Sequence, residues 1–296
     1  MNISYGLPAG KYVVAVSGGV DSVVLLNILA KQSDLNLVVA HFDHGIRDDS
    51  NLDALLVENL ANKFGFAFEL GHGYLGKDIS EADAREKRYE FLRNIQRKHN
   101  ATAIITAHHQ DDLIETSIIN ILRGTGRRGL SSLKSGPDTL RPLLNIPKSQ
   151  LILYAKENNL DWREDSTNSD PKYLRNKVRQ EIIPKLNKQN RQQWLDILQN
   201  IKPINDKLDF EIQQILRQGL HKGQLVLNRY WFSMLPHNIA KEVIAVVLER
   251  AGATEIDKKT IERLSVQIKT VPSGKVLQAP GVVILLTKRS ARFKRR

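Results

Sequence analysis

Short apolar runs alternate with helical stretches along the first 122 residues, and this alternation constrains the fold more than any other feature of the chain. The runs are rich in valine, isoleucine and leucine, as buried parallel strands are, and apolar residues at helical spacing follow them. Strands that alternate with helices form βαβ units, so the sequence predicts an α/β fold with a doubly wound, mainly parallel sheet. An α+β domain with a mixed sheet is the alternative. The predicted strands are Tyr12–Val16, Leu35–His41, Phe66–Leu70 and Ala103–Ala107.

Beyond Gly129 this pattern loosens, and the chain divides into further segments. Residues 189–218 have the spacing of one long helix, in which Pro203 predicts a kink. Residues 219–296 are typical of a small α/β unit, and their tail, KRSARFKRR, is expected to be disordered. We predict a catalytic domain over 1–186, a connecting helical segment over 187–218 and a basic C-terminal domain over 219–296.

The charge is unevenly distributed along the chain. The net charge is −5 over residues 1–122, +7 over 123–218 and +10 over 219–296, within a total of +12. A basic rear half indicates a bound polyanion, with small-molecule chemistry in the front part, although a basic composition that only favours solubility is the alternative. The chain has no cysteine, which excludes disulfides, cysteine-ligated metal centres and a cysteine nucleophile. No signal peptide or membrane-spanning apolar stretch is evident, so we expect a cytoplasmic protein without a membrane partner.

The segment Ser17-Gly18-Gly19-Val20-Asp21-Ser22 lies between the first predicted strand and the helix after it. Glycines at such a turn let backbone N–H groups converge on an anion, and the helix N-terminus adds positive potential. The two serines can donate hydrogen bonds, and Asp21 can hold a magnesium ion that bridges phosphates. The segment lacks the lysine of a G-x4-G-K-[ST] loop, so it does not indicate ordinary γ-phosphate transfer. An Asp-Ser helix cap after a glycine turn is the alternative.

Acidic and histidine side chains follow the second and fourth predicted strands. Asp43 is placed to accept a hydrogen bond from an amine or to hold a metal, or else to cap the turn that follows. At the start of a helix, His109 and Asp112 are three residues apart, as are Asp112 and Glu115, while Asp111 and Glu115 are four apart, so the members of each pair share a face. Their carboxylates can bind magnesium or an ammonium group. A solvated helix N-terminus with favourably placed acids is the alternative.

These segments resemble one protein family, in the same order along the chain. The first segment is similar to the pyrophosphatase loop of the N-type ATP pyrophosphatases of the PP-loop superfamily. The whole set resembles the tRNA(Ile)-lysidine synthases in their short two-domain form, over roughly residues 11–185 and, more weakly, over 219–296. The matching strings are SGGVDS (17–22), HFDHGIR (41–47), EADAREKRYEFL (81–92), ITAHHQDDLIET (105–116), RGTGRRGL (123–130), RPLL (141–144) and EDSTN with YLRNKVR (164–179).

The resemblance implies a tRNA-modifying ligase. ATP would adenylate the C2 oxygen of the wobble cytidine in an isoleucine tRNA with the CAU anticodon, and L-lysine would then displace AMP to give lysidine. It implies ATP and Mg²⁺, tRNA and lysine as partners, and a homodimer. Related tRNA thiolases need cysteines, which this chain lacks, and NAD or GMP synthetases leave the basic C-terminal region unexplained. A non-catalytic tRNA-binding protein with a vestigial nucleotide site is the rival from another class.

The expected site residues fall into three groups. The predicted catalytic residues are Asp43, Asp21, Asp112 and Arg85. The predicted nucleotide-binding residues are Ser17, Gly18, Gly19, Val20, Asp21, Ser22 and His41, with Asp21 and Asp111 as magnesium ligands. The predicted lysine- or tRNA-binding residues are His109, Asp111, Asp112, Glu115, Arg88, Arg123, Arg127, Arg128, Arg175 and Arg179. Because residues 123–129 follow a helix and not a strand, they are expected to form a flexible basic loop for RNA phosphates and not a dinucleotide site.

Overall fold

The structure is a computed structural model, and it describes residues 7–45, 50–73, 81–163, 174–220, 225–254 and 256–296. Contacts divide the chain into two units, Met1–Thr116 with Leu133–Lys185 and Ser117–Ser132 with Leu186–Arg296. Two segments differ from the expected domain boundaries. Residues 117–132 belong to the second unit, and so does the long helix that was expected to be a separate connection. The functional roles assigned to these segments remain predictions.

A parallel sheet of five strands forms the centre of the first unit, in the order β3-β2-β1-β4-β5. Each neighbouring pair is parallel, and Val14 in the central strand pairs with Val39 on one side and Ile105 on the other. The strands are β1 Gly10–Ala15, β2 Leu35–Asp43, β3 Ala67–His72, β4 Ala103–Ile105 and β5 Thr139–Leu140.

Helices cover both faces of this sheet, because its buried side chains alternate between two cores. Val14 and Val39 belong to a core with side chains of α1, α2 and α6, whereas Val13 and Ile104 pack with α3. The predicted doubly wound α/β fold is confirmed. The helices that begin in this unit are α1 Val20–Ala30, α2 Ser50–Phe64, α3 Glu81–Lys98, α4 Gln110–Leu122, α6 Lys148–Glu157 and α7 Leu174–Lys177; a π-helical turn Val178–Ile182 and a 3-10 turn Ile183–Lys185 follow α7.

The strand order reverses at β1, and this reversal positions the site. From β1 the chain adds β2 and β3 on one side, then crosses to add β4 and β5 on the other. Loops that leave β1 and β4 therefore diverge at the carboxyl edge of the sheet and leave a crevice between them, where open α/β sheets bind ligands. Residues 17–22 follow β1 and residues 108–112 follow β4.

The second unit packs helices on one face of a four-stranded antiparallel sheet, in the order β6-β9-β8-β7. Its core joins Ile212, Phe232, Ile244, Leu264 and Ile284, all of them fully buried. The elements are α5 Gly126–Leu130, α8 Lys188–Gly219, β6 Val226–Asn228, α9 Arg229–Met234, α10 His237–Arg250, α11 Lys258–Thr270, β7 Val276–Ala279, β8 Val282–Leu286 and β9 Ser290–Arg295.

Two expectations about this unit were wrong. The tail KRSARFKRR is not disordered, because β9 pairs with both β6 and β8 and buries Ala291 and Phe293. Residues 123–129 are not a loop throughout, because α5 begins at Gly126.

Helix α8 continues through Pro203. No helix in the described ranges combines the length and hydropathy needed to cross a membrane.

Candidate active site

A cavity of about 850 Å³ opens at the carboxyl edge of the parallel sheet, where the strand order reverses. The predicted site residues Gly18, His109, Asp111 and Glu115 do not line it. The predicted residues that do line it are Ser17, Gly19, Val20, Asp21, Ser22, His41, Asp43, Arg85, Arg88, Asp112, Arg175 and Arg179. Side chains from five separate stretches of sequence therefore meet around one space.

The loop after β1 forms a turn that closes on its own hydroxyl groups. Ser22 Oγ donates to the Gly19 carbonyl at 2.9 Å and accepts from the Ser17 N–H at 3.1 Å. Gly18 has a φ of +88°, which glycine adopts without strain, and Gly19 is the N-cap of α1. The first N–H groups of α1 lack intrahelical acceptors, so the turn presents donors and a positive helix end to an anion.

Arg163 and Asp53, which lie outside this turn in sequence, support it through a hydrogen bond and an ion pair. The Arg163 N–H donates to the Gly18 carbonyl at 3.0 Å, and Arg163 Nε lies 2.6 Å from Asp53 Oδ1. Asp53 on α2 is only 5% exposed, and its Cβ lies 3.6 Å from where a side chain on Gly18 would begin. Arg163 and Asp53 could not be identified from sequence, because no local pattern links positions 110 residues apart.

Asp21 lies between two cationic partners. Its Oδ2 is 3.5 Å from His109 Nε2 and 3.4 Å from Lys148 Nζ, while His109 Nε2 is also 3.6 Å from Asp112 Oδ2. Burial acts to raise the pKa of Asp21, but His109 and Lys148 outweigh it and lower that pKa. Burial acts to lower the pKa of His109, but Asp21 and Asp112 raise it overall. His109 therefore orients two carboxylates from beneath the cavity.

The donor set suits magnesium as an ion shared with a phosphate ligand. Among the described residues, no group of three or more His, Asp or Glu side chains is arranged to hold a metal by itself. The Oδ1 atom of Asp21 is buried and accepts no hydrogen bond from any described residue, so it is the oxygen that a cation would satisfy. Magnesium commonly binds through one or two carboxylates plus substrate phosphates, and Asp21 at the turn after β1 fits that pattern.

Asp43 ends β2 and organises the turn toward α2. Its Oδ1 accepts from the Gly45 N–H at 2.8 Å, and its Oδ2 accepts from Ser50 Oγ at 3.0 Å. Nearby, His41 Nδ1 donates to the Val16 carbonyl at 2.8 Å, and burial lowers the pKa of His41 more than that bond and Asp43 raise it. His41 thus ties β2 to β1 as a neutral side chain, while the capping role considered for Asp43 is present in the structure.

Glu115 and Arg179 form a pair with each other. Arg179 donates from Nε to Glu115 Oε1 at 2.7 Å and from a terminal nitrogen to Oε2 at 2.9 Å, and it lies 3.7 Å from Asp112 Oδ1. Burial raises the pKa of Glu115, although Arg179 opposes this change. Because this bidentate contact occupies a carboxylate that is 1% exposed, Glu115 stabilises the position of Arg179 and does not line the cavity.

His108 lines the cavity, although its sequence context predicted no role for it. Its Nδ1 lies 2.8 Å from Thr106 Oγ1, directly after β4. Burial lowers the pKa of His108 well below its ordinary value, and Arg141, Arg85, Arg88 and Arg175 lower it further, so the side chain is neutral. Its position beside His109 in the segment after β4 was the available signal. The arginines around it give this side of the cavity a strong positive charge.

The remaining predicted arginines lie in the second unit. Arg127 bonds to Glu242 through two nitrogens at 2.7 and 3.2 Å and to Asp209 at 2.8 Å, and Asn205 Oδ1 is a further acceptor. Two carboxylates therefore pair with Arg127 in this structure, and its expected role as a contact for RNA phosphates stays a prediction. Arg123 is exposed at the end of α4. Some predicted positions lie outside the residues that the structure describes. They are the side chain of Arg128 and, in the strings that match the family, residues 46–47 and 164–173.

Comparisons with known proteins agree with this geometry. The family model of the PP-loop domain matches residues 3–186. The chain is 33% identical over 311 residues to a tRNA(Ile)-lysidine synthase from Nostoc sp., with 93% of this chain and 91% of that protein covered. It is 38% identical over 191 residues to a tRNA(Ile)-lysidine synthase from Rickettsia bellii, with 61% of this chain covered. That match spans 44% of the Rickettsia protein's own length.

Among solved structures, the chain resembles a U34-tRNA thiolase, NcsA, from Methanococcus maripaludis with its [4Fe-4S] cluster. The TM-score is 0.55 at 19% identity, over 67% of this chain and 73% of that one, which shows a common fold. The domain match covers more than half of the chain, and the Nostoc relative matches along nearly its whole length. The chain is therefore a member of the PP-loop domain family and, within it, of the tRNA(Ile)-lysidine synthase family.

Proposed function

We propose that the protein ligates L-lysine to C2 of the wobble cytidine of tRNA(Ile) with the CAU anticodon. ATP first adenylates the cytidine and releases diphosphate, and lysine then displaces AMP to give lysidine. The observation that carries this proposal is that the glycine- and serine-rich turn after β1, the carboxylates of Asp43 and Asp112, and a group of arginines line one cavity. These three groups suit the triphosphate, the ammonium group of lysine and the phosphates of RNA, respectively.

In the first step, the C2 oxygen of cytidine attacks the α-phosphorus of ATP and diphosphate leaves. The first N–H groups of α1 and the Ser17 hydroxyl bind the leaving diphosphate, and the cavity cations Lys148 and Arg85 offset its developing charge. Asp21 would hold magnesium, which when bound supplies further charge neutralisation to the phosphates. The residues also place the two reactants close together, which lowers the entropic part of the barrier.

In the second step, the ε-amine of lysine attacks C2, the C2–O bond breaks and AMP leaves with the oxygen. Asp43 and Asp112 line the cavity and attract the ammonium group. The amine must lose a proton before it attacks, and Asp43 is the proposed acceptor. The bonds from the Gly45 N–H and Ser50 Oγ fix the orientation of Asp43, and each oxygen keeps a further lone pair for the amine.

The basic second unit is the proposed tRNA-binding region, and Arg123, Arg127 and Arg128 within it are candidate contacts. Arg88 and Arg175 at the cavity are proposed to bind the phosphates next to the wobble nucleotide. A homodimer and a cytoplasmic location, both expected at the sequence level, are part of the same proposal.

The test measures diphosphate release from ATP and incorporation of labelled lysine, with and without the CAU isoleucine tRNA. We expect both activities to need tRNA, and lysine incorporation to stop in Asp21→Asn and Asp43→Asn, at least about 100-fold below the unmodified protein. Asp34→Asn, at an exposed position before β2, is the matched control and should retain activity. A protein that binds this tRNA but releases no diphosphate and incorporates no lysine would instead be a non-catalytic tRNA-binding protein.

A further inference from the structure

The antiparallel sheet of the second unit has one buried face and one exposed face. On β9, Ala291 and Phe293 are 0% and 5% exposed and belong to the core. Successive side chains on a strand point to opposite faces, so Arg292 and Lys294 point away from the core, and both are exposed. Strand β9 lies inside the sheet, between β6 and β8, and these two cations therefore stand near the middle of its open face.

The neighbours of these two cations on the open face are aliphatic. Leu285 on β8 pairs with Arg292, and Val283 pairs with Lys294. Val276 on the edge strand β7 pairs in turn with Leu285 and is 51% exposed. We call this surface the outer face, and its side chains are Val226, Val276, Gln278, Val283, Leu285, Arg292 and Lys294. No side chain in this set is acidic, so the two positive charges have no partner within it.

The charge around the outer face selects the kind of partner. Residues 263–296 contain nine lysines and arginines and no aspartate or glutamate. A second copy of the chain, docked about a two-fold axis, would bring Arg292 and Lys294 against the same cations, and like charges across an interface oppose binding. A polyanion has the opposite charge. Arg292 and Lys294 are two residues apart on one strand, about 7 Å, so they can follow the backbone of a nucleic acid strand.

We propose that the outer face binds the sugar–phosphate backbone of the tRNA. Arg292 and Lys294 contact phosphates, while Leu285, Val283 and Val276 pack against ribose between them. This inference rests on the proposed function, because it takes tRNA as the substrate. Contacts to phosphates and sugars set the position and affinity of an RNA but read no base, so the outer face holds the tRNA and does not select it.

The test compares two double variants of the full-length protein by tRNA binding between 50 and 200 mM salt. Arg292→Gln with Lys294→Gln removes both charges and keeps side chains that cover Leu285 and Val283. Lys202→Gln with Lys207→Gln makes the same charge change at exposed positions of α8, in the same unit, and is the matched control. We expect the first variant to reduce the slope of log K against log salt by about 2 and weaken binding at least tenfold, with a smaller effect in the control.

Thermal unfolding of both variants confirms that each is folded before binding is compared. Equal affinity loss and equal slopes in the two variants would overturn the outer-face proposal, since net charge alone would then explain binding. Stronger self-association of the Arg292→Gln, Lys294→Gln protein with unchanged tRNA binding would overturn it too, and would assign the face to a second copy. If the unmodified protein binds no tRNA, the proposed function itself fails, which is a separate result.

Discussion

At the scale of single residues, the phosphate-binding turn depends on a pair that lies outside it. The carbonyl of one residue and the N–H of the next point in opposite directions across a trans peptide bond. Because Arg163 N–H holds the Gly18 carbonyl, the Gly19 N–H must point to the other side of the turn, where it lies 3.4 Å from Ser17 Oγ. The guanidinium of Arg163 donates to the Asp53 carboxylate, and this bond fixes the position of Arg163.

We therefore expect Asp53→Asn to raise the KM for ATP about tenfold and to leave the KM for lysine unchanged, since only the turn is loosened. Steady-state kinetics with each substrate varied in turn measures this difference.

Arg163→Gln alone removes the cation that pairs with the buried Asp53 carboxylate and should lower the free energy of unfolding by about 3–5 kcal/mol. The double variant, Asp53→Asn with Arg163→Gln, should recover much of that loss. If Asp53→Asn instead changed the KM for ATP and the KM for lysine equally, its effect would be a general one on folding.

His108 makes stability depend on pH with a defined sign. The pKa of His108 in the folded protein is well below the ordinary value of 6.5. As the pH falls, the unfolded chain therefore binds a proton at this residue before the folded protein does. Stability is then lost as pH falls below 6.5 toward the folded pKa, by up to about 1.4 kcal/mol for each pH unit. In urea unfolding between pH 8 and 5, His108→Gln should lose less stability on acidification than the unmodified protein. Parallel losses would exclude His108 as a cause.

Prediction from sequence works for site residues whose placement follows from the topology. Asp21, Asp43 and Asp112 come after three neighbouring strands of a parallel sheet, so their convergence at one edge follows from strand order alone. The partners of Glu115 could not be found in that way. Arg179 reaches it from 64 residues further along the chain, and only the packed structure decides which of several carboxylates an arginine contacts.

At the scale of secondary structure, the short helix α5 is held in place by buried polar contacts with α8 and α10. Asn205 on α8 is 3% exposed and donates to the Arg127 carbonyl and to Ser131 Oγ, both at 2.9 Å. Arg127 itself bonds to Asp209 and Glu242. A glycine-rich segment that would otherwise form a loop is thus held as one helical turn by side chains that lie about 80 to 115 positions away.

Arg127→Ala should lower the free energy of unfolding by about 1–3 kcal/mol, because it leaves two carboxylates and an amide oxygen without their donor. Arg123→Ala makes the same charge change four residues earlier at an exposed position and should change the stability by less than about 0.5 kcal/mol. Urea unfolding of both variants checks the difference. If the two variants had the same stability, the network around α5 would contribute nothing measurable.

Strands that carry an apolar run were predictable from sequence, whereas β5 and β9, which lack one, were not. β1, β2 and β4 begin within two residues of the predicted positions because both their faces are buried. β5 has only two residues, and its pairing with Ile104 and Ile105 decides that it is a strand, which no local pattern could reveal. In β9 the charges hid an alternation of buried Ala291 and Phe293 with exposed cations.

At the scale of the whole molecule, the two anionic ligands are proposed to bind in different ways. The proposed nucleotide site is a cavity in which cations such as Lys148 and Arg175 lie beside the carboxylates of Asp21 and Asp43. The region after residue 218 has a net charge of +10, and its exposed sheet face has no acid to offset Arg292 and Lys294. Each exposed contact with an RNA phosphate releases a counterion, so tRNA binding should depend on salt far more than ATP binding does.

Between 50 and 200 mM salt, we expect the affinity for tRNA to fall by roughly 10³-fold if about six phosphates are contacted, and the affinity for ATP to fall by less than about tenfold. Fluorescence anisotropy with labelled tRNA and calorimetry with ATP measure the two dependences, at a fixed concentration of free magnesium so that cation competition stays constant. Equal slopes would contradict this division, because they would mean that the same exposed cations bind the nucleotide and the RNA. A steep slope for tRNA alone would mean that exposed cations neutralise many phosphates when the RNA binds and few when ATP binds.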